Sequence, residues 1–118
     1  MNYALLIYGD ESEWVGLPHD ERMALRADEM PQWTSLMEEL SKADPNVTGK
    51  ELDGRHTAKV VRVRDGERIV TDGPFAETKE ILGGVFLTDL PDLDEAIRLA
   101  SLIPSARHGA IEIRPVLQ

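Results

Sequence analysis

The chain has 118 residues and no cysteine, and its 22 Asp and Glu residues against 13 Lys and Arg residues give a net charge of -9. A chain of this length buries roughly two-thirds of the surface that its unfolded state exposes, so a single domain over residues 1–118 is expected. The lack of cysteine excludes disulfides, thiolate nucleophiles and Cys-ligated zinc, and the acidic charge disfavours direct binding to nucleic acid or to an anionic membrane surface.

The chain opens with a short apolar run, Asn2 to Tyr8, which Gly9 and Asp10 end. This pattern predicts a buried first strand. The run lacks the basic start of a signal peptide, and no stretch approaches the roughly 20 apolar residues of a membrane span. We therefore expect a cytoplasmic protein without a membrane partner.

A long helix is predicted over Asp20 to Lys42, because its apolar residues recur at spacings of three and four positions. Pro31 lies inside this pattern. An interior proline removes a hydrogen bond and clashes with the preceding turn. We therefore expect a kink at Pro31, or a break near Met30 with Pro31 opening the second half.

A β-hairpin is predicted next. Thr57 to Arg64 contains alternating Val and Arg residues, and Arg68 to Thr71 follows the dipeptide Asp65-Gly66. Asp-Gly between two alternating runs favours a tight turn. These two segments are therefore expected to pair as antiparallel strands.

The last third of the chain predicts strand, helix and strand. Val85 to Thr88 is a short strand pattern, and Asp92 with Glu95 three residues later is a capping-box-like helix start. Pro104 is expected to stop this helix, and Ala110 to Val116 forms the final strand.

The order strand, helix, strand pair, strand, helix, strand predicts an α+β fold of the ferredoxin-like, split βαβ kind. The helices are expected to cover one face of an antiparallel sheet. Because the strands carry apolar residues at both odd and even positions, both faces of the sheet are expected to be apolar. The face without helices must then also be covered. We therefore predict a symmetric homodimer in which two sheets face each other.

Three stretches carry a resemblance to a known family: VRVRDGERIVTDGPFAETKEILGG from Val61 to Gly84, the opening YALLIYGDE and the closing IEIRPV. They resemble the YCII-related proteins of the DGPF type. The resemblance implies a dimeric α+β barrel and a proposed enzymatic activity. Some relatives join this domain to a sigma-factor region, which implies a sigma-factor-related partner.

The activity proposed for the family uses a His-Asp pair, with the His in the first helix and the Asp directly before a proline ahead of the last strand. In this chain Ile103 precedes that proline, and residues Glu21 to Lys42 contain no His. The family's pair therefore does not carry over to this sequence, and other residues must supply any chemistry.

The segment TDGPFAETKE, Thr71 to Glu80, allows two interpretations. In the first, the Asp72 carboxylate accepts backbone hydrogen bonds in a turn and Phe75 packs into the core. In the second, Asp72, Glu77 and Lys79 converge on a pocket, where their surroundings tune one carboxylate for proton transfer. Both interpretations are open from the sequence.

His56 is the best candidate among the three histidines, because it shares strand parity with Arg62 and could point into the same cleft. No HxH or HExxH spacing is present, so no metal site is expected. The predicted catalytic residues are Asp72 and His56. The predicted ligand-binding residues are Arg62, Phe75, Glu77 and Lys79.

Sequences typical of serine hydrolases, P-loop NTPases and Rossmann dehydrogenases are missing from the chain. The first functional hypothesis is a cofactor-free enzyme of the lyase or isomerase kind, in which Asp72 or His56 moves a proton on an unknown small molecule. The alternative is a non-catalytic ligand-binding or regulatory module linked to sigma-factor-dependent transcription.

Overall fold

A computed structural model describes residues 1–117 of the chain. Its strands are β1 (Asn2–Gly9), β2 (Thr48–Glu51), β3 (Lys59–Arg64), β4 (Glu67–Asp72), β5 (Ile81–Asp89) and β6 (Ala110–Pro115). Its helices are α1 (His19–Ala43) and α2 (Leu93–Ser101), with short 3-10 turns at Glu11–Glu13, Arg55–Thr57 and Pro104–Arg107. No helix within residues 1–117 has the length and apolar character needed to cross a membrane.

The main sheet has four strands in the order β2-β5-β1-β6, and every neighbouring pair is antiparallel. Helix α1 connects β1 to β2, and α2 connects β5 to β6. This α+β arrangement is compatible with the ferredoxin-like plan predicted from the sequence. The core lies between the sheet and the helices, where Leu5 and Phe86 meet Leu36 and Leu40 of α1 and Leu99 of α2.

The predicted hairpin forms, but it does not join the main sheet. β3 and β4 make a separate two-stranded sheet, and positive φ angles of 51° at Asp65 and 79° at Gly66 form its tight turn. The place beside β5 belongs to β2, which the sequence analysis missed. β2 has four residues, all of them exposed, so it carries no apolar periodicity for a sequence pattern to reveal.

Helix α1 runs unbroken through Pro31, so the break predicted near Met30 is wrong. The proline ring lies on an exposed side of the helix. The Gln32 amide, oriented with its nitrogen towards the backbone, donates to the carbonyl oxygens of Glu29 at 2.9 Å and Asp28 at 3.3 Å. A side chain thus supplies donors in the turn that a proline disturbs.

The other predicted elements are confirmed with small shifts in their bounds. The Asp92 side chain accepts a hydrogen bond from the Glu95 backbone nitrogen at 2.9 Å and caps α2. α2 ends at Ser101, three residues before Pro104. The strand predicted over Val85 to Thr88 is longer, because β5 begins at Ile81.

The β3–β4 hairpin, residues 59–72, projects from the body, and we call it the arm. Val61 and Val70 pair across the arm and are 59% and 55% exposed, and Val63 is 61% exposed. The radius of gyration is 16.2 Å, against about 13.5 Å for a compact domain of this length. The arm therefore gains little cover from its own chain.

Candidate active site

The main cavity lies between α1, from Arg22 to Met37, and the helix-covered face of the sheet, with a volume of about 700 Å³. Its apolar wall contains Ile7 and Phe86 of the sheet, Met30, Trp33 and Met37 of α1, and Trp14 of the preceding loop. A volume of this size with a mainly apolar lining suits a small organic molecule.

The cavity exists because the two halves of α1 pack differently. In the C-terminal half, Leu36 and Leu40 are fully buried against the sheet. In the N-terminal half, Leu25 and Met30 are 48% and 53% exposed. The sheet below the helix also carries no side chain at Gly49, where a Cβ atom would lie 2.5 Å from the Phe86 ring. A larger residue at position 49 would displace that ring.

A buried carboxylate holds together the segments at one side of the cavity. Glu11, 5% exposed, accepts hydrogen bonds from the Arg55 backbone nitrogen at 2.8 Å and from Arg55 Nε at 3.1 Å. Arg55 Nη2 donates in turn to the carbonyl oxygens of Thr78 at 3.2 Å and Lys79 at 3.3 Å. The Glu11–Arg55 pair thus fixes the segment Thr71 to Glu80 to the cavity wall.

Two pairs of polar side chains line the cavity itself. Arg26 of α1 contacts Glu51 of β2, and the imidazole Nε2 of His108 lies 3.0 Å from Oε1 of Glu29 on α1. The adjacent Gly109 sets the position of His108, because a Cβ at Gly109 would lie 2.2 Å from the Tyr8 carbonyl oxygen. Only glycine lets the chain pass that close to β1.

Arg22 lines the cavity and, like the exposed Lys50, forms no ion pair with any side chain that the structure describes. Its guanidinium carbon lies 4.8 Å from the centroid of the Trp14 ring, which is a cation–π distance. Its Nε is buried and makes no hydrogen bond.

The predicted site residues lie outside this cavity. Asp72 is the last residue of β4, its side chain is 86% exposed, and it pairs with Lys59 across the arm. That contact holds the pKa of Asp72 below its ordinary value. Phe75 is 79% exposed and receives the Arg62 guanidinium carbon 5.5 Å from its ring centroid. Phe75 therefore does not pack into the core of its own chain.

The remaining predicted residues are not gathered around Asp72. The Nζ of Lys79 lies 3.8 Å from an Asp10 carboxylate oxygen, beside the cavity. Hydrogen bonds from Ser12 hold the pKa of that Asp10 below its ordinary value. His56 and Glu77 are exposed, and no hydrogen bond or ion pair within residues 1–117 joins either of them to Asp72. The described residues also contain no group of three acidic or histidine side chains arranged to hold a metal ion.

Fold and cavity together define the class: an α+β domain with an antiparallel sheet and two helices, compatible with the split βαβ plan, and with a cavity between helix and sheet. The chain belongs to the YCII-related family, whose model matches residues 1–118. It is also 36% identical over 121 residues to "Uncharacterized protein R00369" of Rhizobium meliloti (strain 1021), an alignment that covers 98% of this chain and 92% of that relative. The resemblance to the YCII-related family is confirmed, and the DGPF type stays a prediction.

Sequence reasoning missed His108 and Glu29, although the family pattern held a signal. That pattern places its two residues on the first helix and ahead of the last strand. Glu29 lies on α1 and His108 lies two residues before β6. This chain thus pairs a carboxylate and an imidazole from the same two regions with the residue types exchanged.

Proposed function

We propose that the protein is a cofactor-free enzyme of the lyase or isomerase kind, which moves a proton on a small molecule held in the cavity between α1 and the sheet. The observation that carries this proposal is the 3.0 Å contact between His108 Nε2 and Glu29 Oε1 in the cavity wall. The proposal thus places the proton transfer at His108 and Glu29, whereas the sequence predicted it at Asp72 and His56.

The contact assigns roles to both side chains. A carboxylate at Nε2 favours the tautomer that carries its proton there, which leaves Nδ1 with the free electron pair. Nδ1 then accepts a proton from an acidic carbon of the substrate, and the Glu29 carboxylate stabilises the imidazolium that forms. Return of the same proton to a different atom of the substrate completes an isomerisation, and loss of a leaving group from the carbanion completes an elimination.

Hydrogen–deuterium exchange tests this step without knowledge of the full reaction. Small keto acids, beginning with phenylpyruvate, are incubated with the protein in D₂O, and NMR follows the loss of the proton next to the carbonyl. We expect exchange faster than in buffer alone, and a decrease of about 100- to 10,000-fold in the protein-dependent rate for His108→Gln.

His56→Gln is the matched control, because it removes an exposed histidine that lies outside the cavity. It should leave the exchange rate unchanged. Equal rates for His108→Gln and the unaltered protein would contradict the proposal. Tight binding of a ligand with no exchange or turnover would favour the alternative, a ligand-binding module, for which a sigma-factor-related partner stays a prediction.

We also propose that the protein works as a homodimer of the dimeric α+β barrel kind, as expected for the DGPF type. The arm supports this proposal through its exposed Val61, Val63 and Val70. The sheet supports it through Leu87, which is 48% exposed on the face away from the helices. The arm carries four basic and three acidic residues within a chain of net charge -9, so a second copy offers it a complementary acidic surface.

Light scattering coupled to gel filtration tests the dimer. We expect twice the chain mass of 13.2 kDa, and a shift towards the monomer for Val61→Glu and for Leu87→Glu, since each places a charge in an apolar contact. Ile97→Glu is the control, because Ile97 is similarly exposed at 47% but lies on α2. A monomer for the unaltered chain would contradict the proposal.

A further inference from the structure

Arg22 and the exposed Lys50 are the two cations of the cavity wall that form no ion pair with a described side chain, and Arg22 is the one that lies against an aromatic ring. Arg26 pairs with Glu51, His108 with Glu29 and Glu11 with Arg55. The Arg22 side chain forms no ion pair or hydrogen bond with any side chain that the structure describes, and its Nε is buried without an acceptor. A buried donor without an acceptor costs about 1 to 3 kcal/mol. Because Arg22 lines the cavity, its two terminal nitrogens are the donors that a ligand can reach.

The position of Arg22 also fixes the geometry of that acceptor. The guanidinium lies against Trp14 with 4.8 Å between the guanidinium carbon and the ring centroid. Stacking of this kind restricts the guanidinium plane. A planar carboxylate that meets the edge of the guanidinium can accept two parallel hydrogen bonds, which a single neutral oxygen cannot do.

The surrounding charges favour a single negative charge on the ligand. The cavity wall contains more acidic than basic side chains, with Asp10, Glu11, Glu29, Glu51 and Asp53 against Arg22, Arg26 and Lys50, and the chain as a whole carries a charge of -9. A phosphate, with close to two charges, is therefore opposed by the surrounding field more strongly than a carboxylate. One unpaired guanidinium neutralises one carboxylate.

The rest of the cavity indicates what the carboxylate is attached to. Trp33, Met30 and Met37 line the same volume of about 700 Å³. Aromatic and thioether side chains accommodate flat, polarisable groups. A ligand with an aromatic or similar apolar body thus matches the part of the wall that carries no charge.

We propose that Arg22 and Trp14 form the recognition subsite for a small monocarboxylate with a planar apolar body. The inference rests on the proposed function in one respect, since it names the substrate class of the same cavity. Arg22 acts here as a binding and specificity residue, whereas His108 and Glu29 move the proton.

Binding of three probes tests the subsite: phenylacetate, its neutral analogue phenylacetamide, and the dianion phenyl phosphate. Both tryptophans of the chain, Trp14 and Trp33, line the cavity, so their fluorescence reports occupation directly. We expect phenylacetate to bind at least about tenfold more tightly than either other probe. Arg22→Gln should remove this preference and leave the affinity for phenylacetamide within about twofold.

Arg62→Gln is the matched control, because Arg62 also lies over an aromatic ring, that of Phe75, but outside the cavity. It should leave the affinity for phenylacetate unchanged. Arg22→Lys is a second variant that keeps the proposal testable if Arg22→Gln does not fold. It keeps the positive charge at position 22 but loses the paired donors of the guanidinium. It should therefore bind phenylacetate with an intermediate affinity.

Three results would overturn the proposal: no phenylacetate binding below about 10 mM, equal affinity for the acid and the amide, or full affinity in Arg22→Gln. His108→Gln separates this proposal from the proposed function. That variant should bind phenylacetate like the unaltered protein, so binding that survives with no proton exchange in any variant would reject the enzyme and keep the subsite.

Discussion

The two halves of α1 have the same regular backbone but different environments. The C-terminal half buries Leu36 and Leu40 completely, and Asp44 directly after the helix is 8% exposed. The N-terminal half leaves Leu25 and Met30 about half exposed above a cavity, beside the unpaired Arg22. Apolar side chains that a regular helix leaves uncovered on its inner side mark a volume that the chain itself does not fill. We therefore assign stability to the C-terminal half, and ligand recognition to the N-terminal half together with the cavity-lining Trp33 and Met37.

The largest expected effect is the difference in stability between two variants of α1, one with a side chain truncated in the C-terminal half and one with a side chain truncated in the N-terminal half. Leu40→Ala removes a fully buried side chain and should lower the free energy of unfolding by about 2 to 5 kcal/mol. Met30→Ala, at a residue that is 53% exposed in the cavity wall, should cost less than about 1 kcal/mol. Urea denaturation of both variants measures the difference. Similar losses in the two variants would contradict the division of the helix.

Asp44 provides the next largest effect. Its carboxylate accepts hydrogen bonds from the backbone nitrogens of Asp89 at 2.9 Å and Asn46 at 3.0 Å, and from the Thr88 hydroxyl at 3.1 Å. These bonds hold the pKa of Asp44 below its ordinary value, and the bond from the Asp89 nitrogen has the largest effect. Burial of the carboxylate acts in the opposite direction. Asp44→Ala leaves these donors unpaired and should destabilise the fold by about 1 to 3 kcal/mol at pH 7.

The pH dependence of this effect has a definite sign. Because the pKa of Asp44 is lower in the folded state, its contribution is complete above the unfolded value of about 3.9 and is lost as the pH falls through the folded value. The difference in stability between the unaltered protein and Asp44→Asn should therefore shrink as the pH falls below the unfolded value of about 3.9. A difference that grows on acidification would contradict the assigned role.

The smallest expected effect is at Asp72. Its side chain is 86% exposed and pairs with Lys59 on the arm, and exposed ion pairs contribute little to stability. Asp72→Asn should change the free energy of unfolding by less than about 0.5 kcal/mol and should leave proton exchange on phenylpyruvate unchanged. A loss of exchange comparable to that of His108→Gln would return the chemistry to the segment Thr71 to Glu80.

The sequence predicted those parts of the fold that local patterns determine. The alternation around Asp65-Gly66 identified the arm, and the spacing from Asp92 to Glu95 identified the start of α2. It did not reveal β2, whose four exposed residues depend on pairing with β5 for their conformation. Strand formation there is a tertiary effect rather than a local preference.

The candidate site was harder to predict because its residues are distant in the chain. Glu29 and His108 are 79 positions apart, and each was unremarkable in its own helical or connecting segment. The unusual composition of TDGPFAETKE instead favoured that segment as the functional site. Phe75 of that segment is 79% exposed, so the packing role considered for it fails within the single chain and its ring belongs to the surface around the arm.

The location of ligand binding tests the central claim most directly. A fragment library is screened against the ¹⁵N-labelled protein, and amide chemical shifts show where each fragment binds. We expect bound fragments to shift the amides around Arg22, Met30, Trp33 and His108, because small ligands bind in concave, mainly apolar volumes such as this cavity. Fragments that instead shift residues 72–79, and leave these four positions unchanged, would contradict the assignment of the cavity as the functional site.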